Sequence, residues 1–243
     1  MIGARIAGWS TLVEQRDSHP ELHDRMETHK WHGSLIGGTG YAGSNILAEA
    51  VERGHAVASI SRNRPAHRIS GIEYLEGSIL DGDTRSTVLA NSDVVVVAVA
   101  PRGDMAGRVK DGIKTLASDA EQTGVRLGII GGAGSLHVAE GGPRLFDTPD
   151  FPAEFYSEAL EMTAVLDDLR AASERLDWFY LSPPAGFGSY APGTERRTYR
   201  VGRDLLLTDS EGNSFIGGRD FGAAVLDEIE RPAHQRVRFT VAY

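Results

Sequence analysis

Three glycines, Gly37, Gly40 and Gly43, stand between a short apolar run, Ser34 to Ile36, and an amphipathic stretch from Ser44 to Arg53. In that stretch Ile46, Leu47, Ala50 and Val51 share one face of a helix. Between a strand and a helix this spacing has chemical meaning. The first glycine permits a tight turn. The second leaves no side chain where a diphosphate must approach the backbone, and the third lets the helix lie against the sheet. The helix N-terminus then offers free N–H groups and a partial positive charge to an anion. Thr39, Tyr41 and Ala42 belong to the same loop and are expected to border the ligand.

The residues that close the second strand choose among dinucleotides. A free ribose 2′-hydroxyl calls for Asp or Glu about 20 residues beyond the turn. Here the chain reads Ser61-Arg62-Asn63-Arg64, with no carboxylate. Arg62 can fork onto a 2′-phosphate and stack on adenine, with Asn63 beside it. The expected cofactor is NADP(H), with NAD(H) as the other possibility. Ser78, Ile79 and Leu80, after the third strand, are expected at the adenine. Val99, Ala100 and Pro101, then Gly131, Gly132 and Ala133, and Pro183 close the fourth, fifth and sixth strands. They are expected at the ribose and nicotinamide.

The elements that must hold these loops can be read from periodicity. Asp93 to Ala100 is a continuous β-branched run, the mark of a parallel strand covered on both faces. Further strands are expected at His55–Ser61, Glu73–Leu75, Arg126–Ile130 and Trp178–Leu181. Helices are expected near 84–90, 105–123 and from Pro152 to about Arg175. Such alternation defines βαβ units in an α/β fold: a Rossmann-like, doubly wound parallel sheet of order 3-2-1-4-5-6 with helices on both faces. Residues 185–243 read as a small C-terminal α+β portion on the substrate side. Short strands are expected there near 198–201, 205–208 and 214–216, then a helix at Arg219–Glu230 and a last strand at Val237–Val241.

Residues 1–30 stand apart from the single domain expected over 31–243. They are polar, with one short apolar pattern at Ile2, Ile6, Trp9, Leu12 and Val13 that suits a short amphipathic helix. The segment reads as an extension open to fraying, and Met26 offers an alternative start. His19, His23, His29 and His32 cluster here, but no Cys or carboxylate spacing completes a metal site, so none is expected.

Composition excludes several classes. The 243 residues carry a net charge of −9 and no basic stripe, which argues against a nucleic-acid backbone as partner. Without cysteine there is no disulfide framework and no thiolate chemistry. No apolar run is long enough to span a bilayer, and no secretory leader is evident, so a cytoplasmic location is expected. Of 25 basic residues only Lys30, Lys110 and Lys114 are lysines.

The Gly37-to-Gly43 turn, Arg62, the segment Gly131-Gly132-Ala133-Gly134-Ser135-Leu136 with Asp147-Thr148-Pro149 downstream, and the closing Phe239-Thr240-Val241 carry a resemblance. From about residue 31 to the end the chain resembles the atypical short-chain dehydrogenase/reductases. Within them it is most similar to the NAD(P)H-binding group of NmrA-like proteins, bacterial NADH–flavin reductases and biliverdin reductase B. The resemblance implies a Rossmann-like fold and a nicotinamide dinucleotide. Two positions depart from it: Gly38 stands where Ala is usual, and Ser78 where an Asp commonly meets adenine.

Short-chain dehydrogenases pair a Tyr with a Lys four residues later, which lowers the phenol pKa for proton exchange with substrate. No lysine here follows a tyrosine at that spacing. Tyr156 has Leu160 at the fourth position, and Tyr199 has Arg203. The family's catalytic serine falls at Ser135, which either hydrogen-bonds a substrate carbonyl or caps a turn. Ser135 and Tyr156 are therefore the candidate catalytic residues. With no strong acid, an acceptor that delocalises charge is favoured, so flavin enters as a possible substrate rather than a cofactor, alongside quinones. Phe146, Phe151, Phe155, Tyr156, Phe187 and Tyr190 are candidates to line its site. The leading expectation is hydride transfer from NADPH to such an acceptor, by a monomer or homodimer. The alternatives are a non-catalytic NADP(H) sensor and a sugar-nucleotide epimerase or dehydratase.

Overall fold

A computed structural model describes residues 30–243. The amphipathic pattern of residues 2–13, Met26 and the histidines at 19, 23 and 29 lie outside the described residues. Eight strands form one sheet: β1 His32–Ile36, β2 Ala56–Ser61, β3 Ile72–Glu76, β4 Val94–Val97, β5 Arg126–Ile130, β6 Trp178–Ser182, β7 Arg200–Gly202 and β8 Val237–Ala242. Their order is β3-β2-β1-β4-β5-β6-β8-β7. All neighbours are parallel except β7 on β8. The expected order 3-2-1-4-5-6 is present, extended by two strands at the β6 edge.

Among the described residues five α-helices cover the sheet: α1 Tyr41–Glu52, α2 Gly82–Ala90, α3 Val109–Thr123, α4 Tyr156–Arg170 and α5 Gly218–Glu230. The valine run explains itself once both faces are counted. Val95 and Val97 join a core with Leu116, Leu166 and Trp178 on the α3–α4 side. Val94 and Val96 join one with Leu47, Phe221 and Phe239 on the α1–α5 side. A strand buried on both sides has no polar position, so alternation disappears from its sequence.

Several expected boundaries are corrected. The helix read from Met105 is broken: a 3₁₀ turn spans Gly103–Met105, and α3 starts only at Val109. Gly107, at φ +73°, turns the chain between them. The helix read from Pro152 begins with a 3₁₀ turn at Ala153–Phe155 and ends at Arg170. The segments 205–208 and 214–216 are not strands. Leu205 and Phe215 make single bridges, to His137 and Gly186, because each runs beside a loop rather than a strand.

Candidate functional site

The carboxyl ends of β1, β2 and β4 surround a cleft of about 200 Å³. Gly37, Thr39 and Gly40 form one wall, Ser61 and Arg62 another, and Ser78 and Ile79 a third. Val99, Ala100 and Met105 close the fourth. This is the switch point of a doubly wound sheet, where the crossovers diverge from β1.

The glycine turn is built by close approach. Gly37 sits at φ +94°, and a Cβ there would lie 2.4 Å from the Ala98 carbonyl oxygen. Gly38 has no such dihedral constraint, but a Cβ would fall 2.2 Å from Ser59 Oγ. That contact accounts for the departure from alanine: the Ser59 hydroxyl fills the space. Gly40 differs from both. Its nearest neighbour would be 3.5 Å from an added Cβ, and its φ of −76° suits any residue. The protein itself does not require a glycine at 40.

The helix above the turn is poised for an anion. No side chain caps α1 at Gly40, and its first turn carries no carboxylate. Every other helix among the described residues has one there: Asp83, Asp111, Glu158 and Asp220. Carboxylates at helix starts are stabilising, so their absence from α1 leaves its positive end to a ligand. Two further groups suit a dinucleotide. The Ser61 hydroxyl is buried in the cleft wall without a hydrogen-bond partner. The Arg62 side chain, about half exposed, faces Asp104 across the mouth at 3.6 Å. An uncapped helix end, a backbone cradle, an orphaned hydroxyl and a guanidinium together fit the adenosine and diphosphate of a nicotinamide dinucleotide.

The loop from Ala100 to Arg108 is fastened to α4. Arg102 makes a two-pronged ion pair with Glu158, and its guanidinium lies 5.3 Å from the Phe155 ring centre. Glu161 accepts from the backbone N–H of Gly107 at 2.6 Å and of Lys110 at 3.0 Å, so it caps α3 from another helix.

The loop after β5 is also fixed by distant residues. The Tyr180 ring lies beneath Gly131, where a Cβ would fall 2.1 Å from it, and its hydroxyl donates to the Met162 carbonyl at 3.0 Å. Burial pushes the Tyr180 phenol well above its ordinary pKa, so it stays protonated. Ser135 is buried, and its hydroxyl oxygen accepts from Arg238 Nη1 at 2.8 Å. Arg238 also donates to Asp204, which accepts from Arg170 at 2.9 Å.

Of the expected site residues, Gly37, Thr39, Gly40, Arg62, Ser78, Ile79, Val99 and Ala100 line the cleft together. Tyr41, Ala42, Gly43, Asn63, Leu80, Pro101, Gly131, Gly132, Ala133, Pro183, Ser135 and Tyr156 lie outside its lining. Tyr41 begins α1 and donates its hydroxyl to the Pro192 carbonyl at 3.0 Å. Tyr156 is exposed at the start of α4, edge-on to the buried Phe146 at 5.8 Å. Phe187 is committed to packing, between Tyr41 and Phe221. Phe155 and Tyr190 are exposed. Ser61 and Met105 line the cleft without having been expected. Ser61 was legible as the last residue of β2; Met105 was hidden by the apparent continuity of the helix that follows. Among the described residues no three His, Cys, Asp or Glu side chains gather as metal ligands, and no helix is long and apolar enough to cross a membrane.

Comparison with known proteins agrees with this geometry. Residues 37–211 match the NAD(P)H-binding family, and the chain belongs to it. It is 35% identical over 212 residues to YwnB of Bacillus subtilis (strain 168), which covers 85% of this chain and 96% of that one. A candidate epimerase from Bacteroides thetaiotaomicron superposes with a TM-score of 0.77 at 30% identity, covering 87% of this chain and 96% of its own. A candidate NADH-flavin reductase from Streptococcus pneumoniae TIGR4 gives 0.73 at 28% identity, covering 87% and 99%.

Proposed function

We propose that this protein is a reductase that uses NADPH to reduce a planar acceptor of the flavin or quinone class. The observation that carries the reading is the α1 end: a helix with neither cap nor carboxylate, above a Gly40 that the protein alone does not need. In this reading the first-turn N–H groups of α1 hold the diphosphate. Ser61 and Arg62 hold the phosphorylated ribose, and Ile79 and Met105 flank the adenine. The bound dinucleotide supplies the hydride.

The protein's own part is orientation and limited proton help. Leu160 occupies the position where an ammonium would assist Tyr156, and Lys110 pairs with Asp168 at 3.5 Å. Tyr156 therefore contributes its ring and a phenol that no ammonium assists. The Ser135 oxygen accepts a hydrogen bond from Arg238, so its own hydrogen is left to donate toward an acceptor. Acceptors that spread the incoming negative charge need no more than this. A sugar-nucleotide epimerase would draw on a Tyr–Lys pair and so loses support. The same missing ammonium favours one second reading, an NADP(H)-binding sensor without turnover.

The test is loss of reduced-nicotinamide absorbance with NADPH and NADH in parallel, against FMN and a quinone panel. Oxidation that needs both protein and acceptor, and that Arg62→Ala slows with NADPH far more than with NADH, is the expected result. Tight binding without oxidation would replace the reductase by the sensor.

A further inference from the structure

We propose that Asp104 sets cofactor specificity by competing with a ribose 2′-phosphate for the Arg62 guanidinium. The inference rests on the assignment of Arg62 to the phosphorylated ribose. It adds a residue from the opposite side of the cleft, on the loop after β4.

The loop leaves Asp104 little choice of direction. At one end Arg102 is locked to Glu158, and at the other the Gly107 N–H is locked to Glu161. Between them Gly103 turns at φ +55°, and Met105 is buried in the cleft wall. With its successor pointing inward, Asp104 lies out over the mouth, its side chain 92% exposed, and reaches Arg62 at 3.6 Å. The other arginine of the β2 end, Arg64, pairs with Glu76 at 2.9 Å and lies outside the cleft lining.

An ion pair this exposed is weak and exchanges readily. A phosphate ester carries more charge and accepts a two-pronged hydrogen bond, so it displaces a carboxylate from an arginine. Once displaced, Asp104 remains anchored beside a like charge. It thus opposes the phosphorylated dinucleotide twice, by occupying Arg62 beforehand and by repulsion afterwards. A dinucleotide with a free 2′-hydroxyl meets neither penalty. Asp104 therefore narrows the preference for NADPH over NADH that Arg62 creates.

The experiment is calorimetric titration of the full chain with NADPH, NADH, adenosine 2′,5′-bisphosphate and 5′-AMP. The variants are Asp104→Asn, Asp104→Glu, Arg62→Ala and Arg62→Ala with Asp104→Asn. Asp104→Asn is expected to tighten NADPH and the bisphosphate about three- to tenfold. NADH and 5′-AMP should move less than about twofold, and added salt should shrink the gain. Asp104→Glu, which keeps the charge, should stay near the parent. In the Arg62→Ala background the gain should largely vanish. Equal tightening of phosphorylated and unphosphorylated ligands overturns the proposal, because the loop rather than the charge would be responsible. A gain undiminished without Arg62 overturns it too. If Arg62→Ala separates NADPH from NADH while Asp104→Asn is silent, only the role of Asp104 falls. If Arg62→Ala weakens both dinucleotides equally, the assignment of Arg62 itself is wrong.

Discussion

Gly43 presses against the carbonyl of Gly37 so closely that a Cβ on Gly43 would lie 2.4 Å from its oxygen and 2.8 Å from the Gly38 α-carbon. Both obstacles are backbone, in a turn tied by the Gly37 N–H to the Ile60 carbonyl and by the Gly40 N–H to the Gly37 carbonyl, so neither can move aside cheaply. Gly43→Ala is expected to destabilise the fold by about 1–3 kcal/mol. A thermal melt against the parent checks this. An unchanged midpoint would mean that α1 can lift from the turn.

Gly40 gives the opposite expectation from the same motif. An added Cβ meets nothing closer than 3.5 Å, and the backbone is ordinary. Gly40→Val should cost less than about 1 kcal/mol of stability, in line with a lost preference at a helix N-cap. It should weaken NADPH binding more than about tenfold, because its side chain enters the space left for a diphosphate. Retained binding would place the ligand elsewhere.

These two positions mark what the sequence can and cannot express. The spacing of the three glycines, the valine run of β4 and the Arg62 that follows β2 are local signals, and local signals place the sheet and its turn. The glycine spacing assigns Gly43 to packing and Gly40 to a ligand, but it does not show that backbone atoms of Gly37 and Gly38 are what press on Gly43. The α3 start was misplaced because its cap, Glu161, comes from α4, 51 residues from Lys110. The neighbours of Ser135 were hidden for the same reason: Arg238 reaches it across 103 residues, through the pairing of β8 on β6. The small C-terminal strands failed because 205–208 and 214–216 have strand-like composition but only loops to pair with.

Asp204 makes the fold sensitive to acid. Burial works to raise its carboxyl pKa, but hydrogen bonding and charge from Arg238, with Arg170 behind, hold it below the ordinary value. A carboxylate whose pKa is lower in the folded chain stabilises the fold above its unfolded pKa. That stabilisation is lost as the pH falls through the lower, folded value. Asp204→Asn should therefore lower the melting temperature near neutral pH and flatten its decline below about pH 4. Melts from pH 3 to 7 test this; parallel curves for parent and variant would show that Asp204 is not coupled to folding.

In the proposed reductase Ser135 would supply proton donation and Tyr156 ring placement at the acceptor. With its oxygen accepting from Arg238, Ser135 still has its own proton to give. Ser135→Ala leaves Arg238 paired with Asp204, so the stability loss should stay near 1 kcal/mol, the worth of an ordinary hydrogen bond. Its kcat should fall roughly tenfold, less than the cost of about a hundred- to a thousandfold for a lost oxyanion donor, because the acceptor spreads its charge. The KM for NADPH should not change. Tyr156→Phe keeps the ring edge against Phe146 and removes a phenol that no ammonium activates, so kcat should stay within about threefold. Steady-state rates with NADPH and a quinone settle both. A tenfold loss in Tyr156→Phe with Ser135→Ala unaffected would make the phenol the proton donor and leave Ser135 as a fastening for β8.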